Sequence, residues 1–201
     1  SMTPVAYLRG IVEYLKNYPY GCTEQLVSQA FPAVVLGGNA ELGLSTQDVD
    51  RLFNRSLKIL QTRLKHDGSF GYWSVSGPTD PFYSMYATHL LLEAHERGQK
   101  ASDATFDRAI HYADQYTQER HYQWHEHQAQ AYALYLLARN GQNVADRLKA
   151  FEAELDRQWG QGGISANWVR FFLGAAYKIH HLDADADRFF GEFQRQWKKT
   201  G

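Results

Sequence analysis

The sequence holds one cysteine, Cys22, so no internal disulfide can staple it. A chain of 201 residues needs none, because at that length it buries a substantial core by itself. Nor is there an excess of charge of either sign, since 21 basic and 22 acidic residues are spread along the chain and leave a net charge of −1. That removes the basic stripe needed to track a phosphate backbone, and nucleic acid with it as a partner. No apolar run approaches the ~20 residues that span a bilayer, so no direct membrane contact is expected, and the N-terminus lacks the regions of a signal peptide. "SMTP" reads as an appended scar followed by the start of an excised segment, so targeting signals are expected to lie outside this sequence.

Clean period-two alternation is also missing, and apolar residues recur instead at spacings of three and four. The sequence is therefore expected to be all-helical. Tyr7, Leu8, Ile11, Val12 and Leu15 mark a first helix that Pro19 stops. Leu26, Ala30, Val34 and Val35 belong to a second helix that starts near Cys22 and tolerates or kinks at Pro32. A cap at Ser45 or Thr46, an acidic first turn and the stripe Val49, Leu52, Phe53, Leu57, Leu60 and Leu64 define a third. Six more follow, near 81–97, 103–117, 125–140, 144–158, 166–180 and 184–198.

"DPFYSMYATHLLLEAHERG", "HEHQAQAYALYLLARNG" and "SANWVRFFLGAAYKIHH" form a weak repeat, each an aromatic and small-residue helix followed by a more amphipathic one. Alternation of that kind predicts stacked helical hairpins, as in a solenoid or an α/α toroid. Two Gly- and aromatic-rich connections, 66–81 and 158–168, are placed at a rim, where they cover a site or plug the core with Phe70, Tyr72, Trp73 and Trp168.

The stretch "YPYGCTEQ" carries the chemistry. Residues three apart share a helix face, so Cys22 and Gln25 can meet within one turn. If the thiolate displaces ammonia from the Gln25 carboxamide, the product is an internal thioester, an acyl group on a good leaving group. Pro19 and Gly21 force a sharp entry, with glycine free to take angles a side chain forbids. The helix N-terminus favours thiolate and an oxyanion, and Glu24 serves that turn electrostatically.

"GCTEQ" resembles the Gly-Cys-x-Glu-Gln motif of the thioester-containing domain of the alpha-2-macroglobulin and complement family, and "YPYGCTEQ" resembles its bacterial branch. "DGSFGYW" and the following "DPFYSMYATHLLLEA" are similar to a loop and inner helix of that domain, with Tyr83, Ser84, Met85, Tyr86 and Ala87 at the positions of a vertebrate Trp-Leu-Thr-Ala-Tyr. After about residue 120 only the helical rhythm remains.

The resemblance implies an all-α toroid of helical hairpins, abbreviated or incomplete beside longer relatives, with residues 1–201 forming one domain cut from a multidomain chain. It implies a broad-spectrum, single-use protease trap rather than an enzyme: cleavage of a bait region exposes the thioester, and a surface lysine of the attacking protease is acylated. Gln25 becomes the acyl donor and Cys22 the released thiol, supported by Gly21 and Glu24. Tyr18 and Tyr20, with Trp73 from the rim loop, are the residues expected to shield the bond from water together with other domains of the same chain. No metal and no cofactor are implied, and the expected location is extracytoplasmic, in the periplasm, with a parent chain that is free or membrane-anchored and a role in evading host defence. His121, His125 and His127 fall near the place where complement relatives carry an acyl-accepting histidine, but their spacing departs from the pattern, so amine preference is expected.

Other readings of the residues stay open at this stage. A cysteine hydrolase would use one of nine histidines, with Asn167 as orienter. His121, His125, His127 and Glu126 could form a metal cluster, although the HExxH order is absent. "LDADAD" suggests metal or diphosphate binding, or simply acidic residues opening a helix. A glycosidase would need a carboxylate pair from Asp67, Asp80 and Glu126. A helical-repeat binding module without a functional thioester is the non-chemical alternative.

Overall fold

A computed structural model describes residues 21–37, 45–99, 103–160 and 168–200. Eight helices occupy the described residues: α1 (Thr23–Leu36), α2 (Thr46–Arg63), α3 (Pro81–Glu96), α4 (Asp103–Tyr116), α5 (Trp124–Arg139), α6 (Ala145–Trp159), α7 (Trp168–Ile179) and α8 (Asp183–Thr200). The helix expected around residues 7–15 lies outside the described residues, and each of the other eight is found within a few residues of its expected bounds.

The local signals explain why these segments are helical. Ser45 caps α2, its hydroxyl accepting from the Asp48 N–H while the Asp48 carboxylate accepts from the Ser45 N–H. From the expected stripe, Val49, Phe53, Leu57 and Leu60 are buried, a face whose burial is worth roughly 1.5–3 kcal/mol per large side chain. Asp80 caps α3 by accepting from Phe82 N and Tyr83 N, and Pro81 takes the first helical position, where no N–H is needed. Helix α1 runs through Pro32 rather than ending there.

Helices α3 and α5 are buried nearly all round, Leu90, Leu91, Leu134, Leu136 and Leu137 being no more than 1% exposed, whereas α2, α6 and α8 are amphipathic. The three repeat copies also end alike. After α3, α5 and α7 the chain turns through a left-handed residue, Gly98 (φ 75°), Gly141 (φ 80°) and His181 (φ 58°). The next N–H reaches back to the helix in each copy: Gln99 to Ala94 O at 2.8 Å, Gln142 to Leu137 O at 3.0 Å, and Leu182 to Tyr177 O at 3.0 Å. The repeat is thus a repeat of caps as well as of packing.

The chain divides into two compact units, Ser1–Ala109 and Ile110–Gly201. In the first, α1 packs on α2 and α3. Between α2 and α3 the segment 64–80 folds back on itself through isolated antiparallel bridges, Leu64 with Phe70 and Gly71 with Thr79. In the second, α7 packs against α5, α6 and α8. Of the four aromatics considered as core plugs, Phe70 is buried, Tyr72 is half-buried, and Trp73 and Trp168 are exposed. No helix of the described residues is long and apolar enough to cross a membrane.

Candidate functional site

Cys22 is the N-cap of α1 in extended geometry, and it is 1% exposed. Its sulfur accepts from Gln25 N at 3.4 Å, while the Gln25 side-chain Oε1 accepts from the Cys22 N–H at 3.2 Å. This is a capping box with cysteine in the place of serine or threonine, and it folds the carboxamide back over the thiol. The spacing read from the sequence is therefore a reciprocal contact, held by two orphan donors of the helix terminus.

The thiol donates toward Glu24 Oε2 at 3.8 Å, and Glu24 Oε1 accepts from Ser28 Oγ at 3.2 Å. The Tyr86 hydroxyl stands 3.5 Å from the same Ser28 oxygen. Glu24 thus contacts the sulfur directly, beyond the electrostatic part expected for it.

The residue between Cys22 and Glu24 ties this turn to the 64–80 segment. Thr23 N donates to Tyr72 O at 2.9 Å, and Thr23 Oγ1 donates to Gly71 O at 2.7 Å and lies 3.2 Å from Tyr72 O. Arg63, 7% exposed at the end of α2, completes the knot. Its Nη1 donates to Thr23 Oγ1 at 3.2 Å and Tyr72 O at 3.1 Å, and its Nη2 donates to Gly21 O. Burial lowers the guanidinium from its ordinary range, and the Cys22 charge offsets part of that.

Two phenols also interact with Cys22. The Tyr72 hydroxyl bonds the Cys22 side chain and is pushed up to about 12, chiefly by that bond, with burial and nearby negative charge adding. Tyr83, 5.8 Å from the Tyr72 ring, is raised by burial first and then by Asp80, Glu24 and Cys22. Neither tyrosine nor Arg63 was singled out by sequence reasoning for contact with Cys22. The only signal for Tyr72 was its place in "DGSFGYW", and Arg63 reads as an ordinary basic residue in a last helical turn.

Other expected residues land differently. A Cβ on Gly21 would meet Arg63 Nη2 at an ordinary 4.0 Å, and the Gly21 carbonyl accepts from that guanidinium. Trp73 is 56% exposed and sets its edge on Tyr72 at 5.4 Å. Tyr18, Tyr20 and Asn167 lie outside the described residues.

The remaining candidates belong to local structure. In the second unit, His121 bonds Tyr116 O at 2.9 Å and stacks on that ring at 4.1 Å. His127 is fully buried against Gln158 Oε1 at 2.9 Å, and His125 is exposed. Among the described residues no group of three or more His, Cys, Asp or Glu could hold a metal ion. Asp67 accepts from Ser69 N, Asp80 caps α3, and Glu126 accepts from Tyr122 N and Gln123 N, bonds that hold its carboxyl below the usual range. In "LDADAD", Asp183 pairs with Lys178 and Asp185 with Lys149 at the start of α8.

The chain matches no protein-family model. It is 30% identical over 202 residues to the alpha-2-macroglobulin of Rickettsia conorii, covering 96% of this chain and 10% of that protein. With the alpha-2-macroglobulin homolog of Yersinia pestis it is 26% identical over 207 residues, covering all of this chain and 10% of that protein. The chain thus spans about a tenth of the length of the curated relatives it matches. Among solved structures it resembles native alpha-2-macroglobulin from Escherichia coli, from domain MG7 to the C-terminus, with a TM-score of 0.77 at 21% identity over 95% of this chain and 31% of that one. A Salmonella alpha-2-macroglobulin reacted with methylamine gives a TM-score of 0.74 at 23% identity, over 94% of this chain and 13% of that one. The structural likeness shows the fold, the all-helical α/α toroid class expected from the hairpin repeat. With bacterial relatives matching it along nearly its whole length and sharing its fold, this chain belongs to the alpha-2-macroglobulin family.

Proposed function

We propose that Cys22 and Gln25 form an internal thioester, and that this chain is the thioester-containing domain of a bacterial protease inhibitor that traps its attacker covalently. The observation that carries the reading is the buried, reciprocal Cys22–Gln25 capping box. Its geometry suits the chemistry. Gln25 Oε1 already accepts from the Cys22 N–H, so when sulfur adds to the carboxamide carbon, the oxygen that gains charge has a donor in place. Glu24 Oε2 lies where the thiol proton goes. Collapse expels ammonia, carrying that proton, and leaves the C–S bond.

In the trapping step a lysine amine of the protease attacks the same carbon, the C–N bond forms, and the C–S pair returns to sulfur. Each domain acts once, so the stoichiometry is that of an inhibitor. That a Salmonella relative has been reacted with methylamine supports amines as the nucleophile class. Gln25 and Glu24 contact Cys22, and Arg63, Tyr72 and Tyr83 interact with its charge.

In this reading Tyr18, Tyr20 and Trp73 exclude water together with further domains of the parent chain, which works outside the cytoplasm in the periplasm. Intact mass of freshly purified protein, before and after methylamine, tests the proposal. A mass lighter by one ammonia, followed by gain of one methylamine at residue 25 and appearance of a titratable Cys22, supports it. An unmodified Gln25 with a free thiol throughout overturns it.

A further inference from the structure

Arg63 is a buried cation among neutral acceptors. Its bonds go to the Gly21 carbonyl, the Thr23 hydroxyl and the Tyr72 carbonyl, and no described carboxylate pairs with it. The two terminal nitrogens bond residues 21 and 23, so the guanidinium straddles Cys22. A guanidinium stays charged in proteins, and one buried without a counter-ion is costly. The one ionisable side chain whose charge acts on it is Cys22.

We propose that Arg63 is a positioning residue that holds its positive charge against the Cys22 sulfur and stabilises the thiolate as it leaves during acyl transfer. The inference rests on the thioester reading and adds a leaving-group device to it. In the resting thioester the sulfur is neutral and the guanidinium has neutral acceptors but no counter-ion. When an amine attacks Gln25 Cδ, the C–N bond forms, the C–S electron pair moves to sulfur, and one N–H proton passes to the Glu24 carboxylate. The buried cation then gains its counter-ion in the state where charge has developed, which is where stabilisation accelerates a reaction.

The charged and titratable groups that contact Cys22 or interact with its charge are Glu24 on α1, Arg63 on α2, Tyr72 on the 64–80 segment and Tyr83 on α3. Glu24 opposes the thiolate, Tyr72 donates to it, and Arg63 is the cation of the set. That division separates the roles: a proton acceptor, a hydrogen-bond donor and a fixed charge.

The test uses the single cysteine as its own reporter. Protein labelled with 13C at cysteine Cβ is treated with methylamine, so that Cys22 is a free thiol, and its resonance is followed against pH in wild type, Arg63→Lys and Arg63→Gln. Removing the charge is expected to raise the pH of the thiol-to-thiolate change by about one unit, and lysine to restore most of it. The rate of methylamine uptake by the untreated protein is expected to fall about tenfold in Arg63→Gln and to recover to within about threefold in Arg63→Lys. A purely structural clamp would fail equally with lysine, which cannot straddle residues 21 and 23.

Should Arg63→Gln not fold, the 15N resonances of the Arg63 guanidinium in wild type must move at the same pH as the Cys22 carbon, and their silence through that change refutes the inference. An unchanged midpoint in a folded Arg63→Gln refutes it as well. If wild type never loses ammonia or takes up methylamine, the thioester reading fails instead, while the titration of the free thiol still reads the effect of Arg63.

Discussion

Gly71 and Gly21 flank the same structural knot, and the structure assigns them opposite tolerance to a methyl group. At Gly71 a Cβ would lie 1.9 Å from Ser74 O and 2.9 Å from Ser74 C, backbone atoms that cannot rotate away. To reach ordinary contact the segment must open by about 1.5 Å, and the next residue is Tyr72. Its carbonyl accepts from Thr23 N at 2.9 Å and Arg63 Nη1 at 3.1 Å. Overpacking costs about 1–3 kcal/mol, and each buried hydrogen bond lost adds about 1 kcal/mol. Gly71→Ala is therefore expected to destabilise the protein by about 2–4 kcal/mol and to slow methylamine uptake, because the turn bearing Cys22 loses its anchor. Gly21→Ala has open space up to Arg63 Nη2 at 4.0 Å and should change stability by less than about 0.5 kcal/mol. Urea unfolding followed by far-UV circular dichroism on both variants is the assay. A loss below about 0.5 kcal/mol for Gly71→Ala would show that the segment relaxes freely, and would refute the tie between it and the site.

Thr23→Val keeps the shape of a buried side chain but removes both the donor to Gly71 O and an acceptor of Arg63, so a loss of about 1–3 kcal/mol is expected in the same unfolding assay. Tyr72, held near 12 in the folded state against an ordinary 10, binds its proton more tightly when folded. Its contribution to stability is complete below pH 10 and is lost as pH rises toward 12; Tyr72→Phe should flatten the fall of stability over that window, measured by chemical unfolding at stepped pH. His181 occupies a left-handed position that glycine fills after the other two repeat helices, so His181→Gly is expected to raise stability by about 0.5–1 kcal/mol, and a decrease in melting temperature would contradict that account.

The sequence by itself determined the helices and the meeting of Cys22 with Gln25, because both are local. Period 3.6 in "STQDVDRLFNRSLKIL" is recorded in neighbouring residues, as is the cap at Ser45, and Cys22 with Gln25 needs only one turn of helix to meet. The family resemblance rode on the same short stretch. What surrounds the pair was decided by tertiary structure. Arg63 is forty-one positions beyond Cys22 and Tyr72 fifty, and their convergence depends on how α1, α2 and the 64–80 segment pack, which no local period encodes. For the same reason Trp73, next to Tyr72 in the chain, is exposed, and the Gly21 carbonyl meets a guanidinium forty-two positions away. Glu126, His121 and His127 looked chemically poised in a row of polar letters, yet packing and backbone N–H groups claim Glu126, His121 and His127 one by one, since a helix end must satisfy its own orphan groups first. Spacing along the chain set which side chains meet, and packing across it set the groups that surround them.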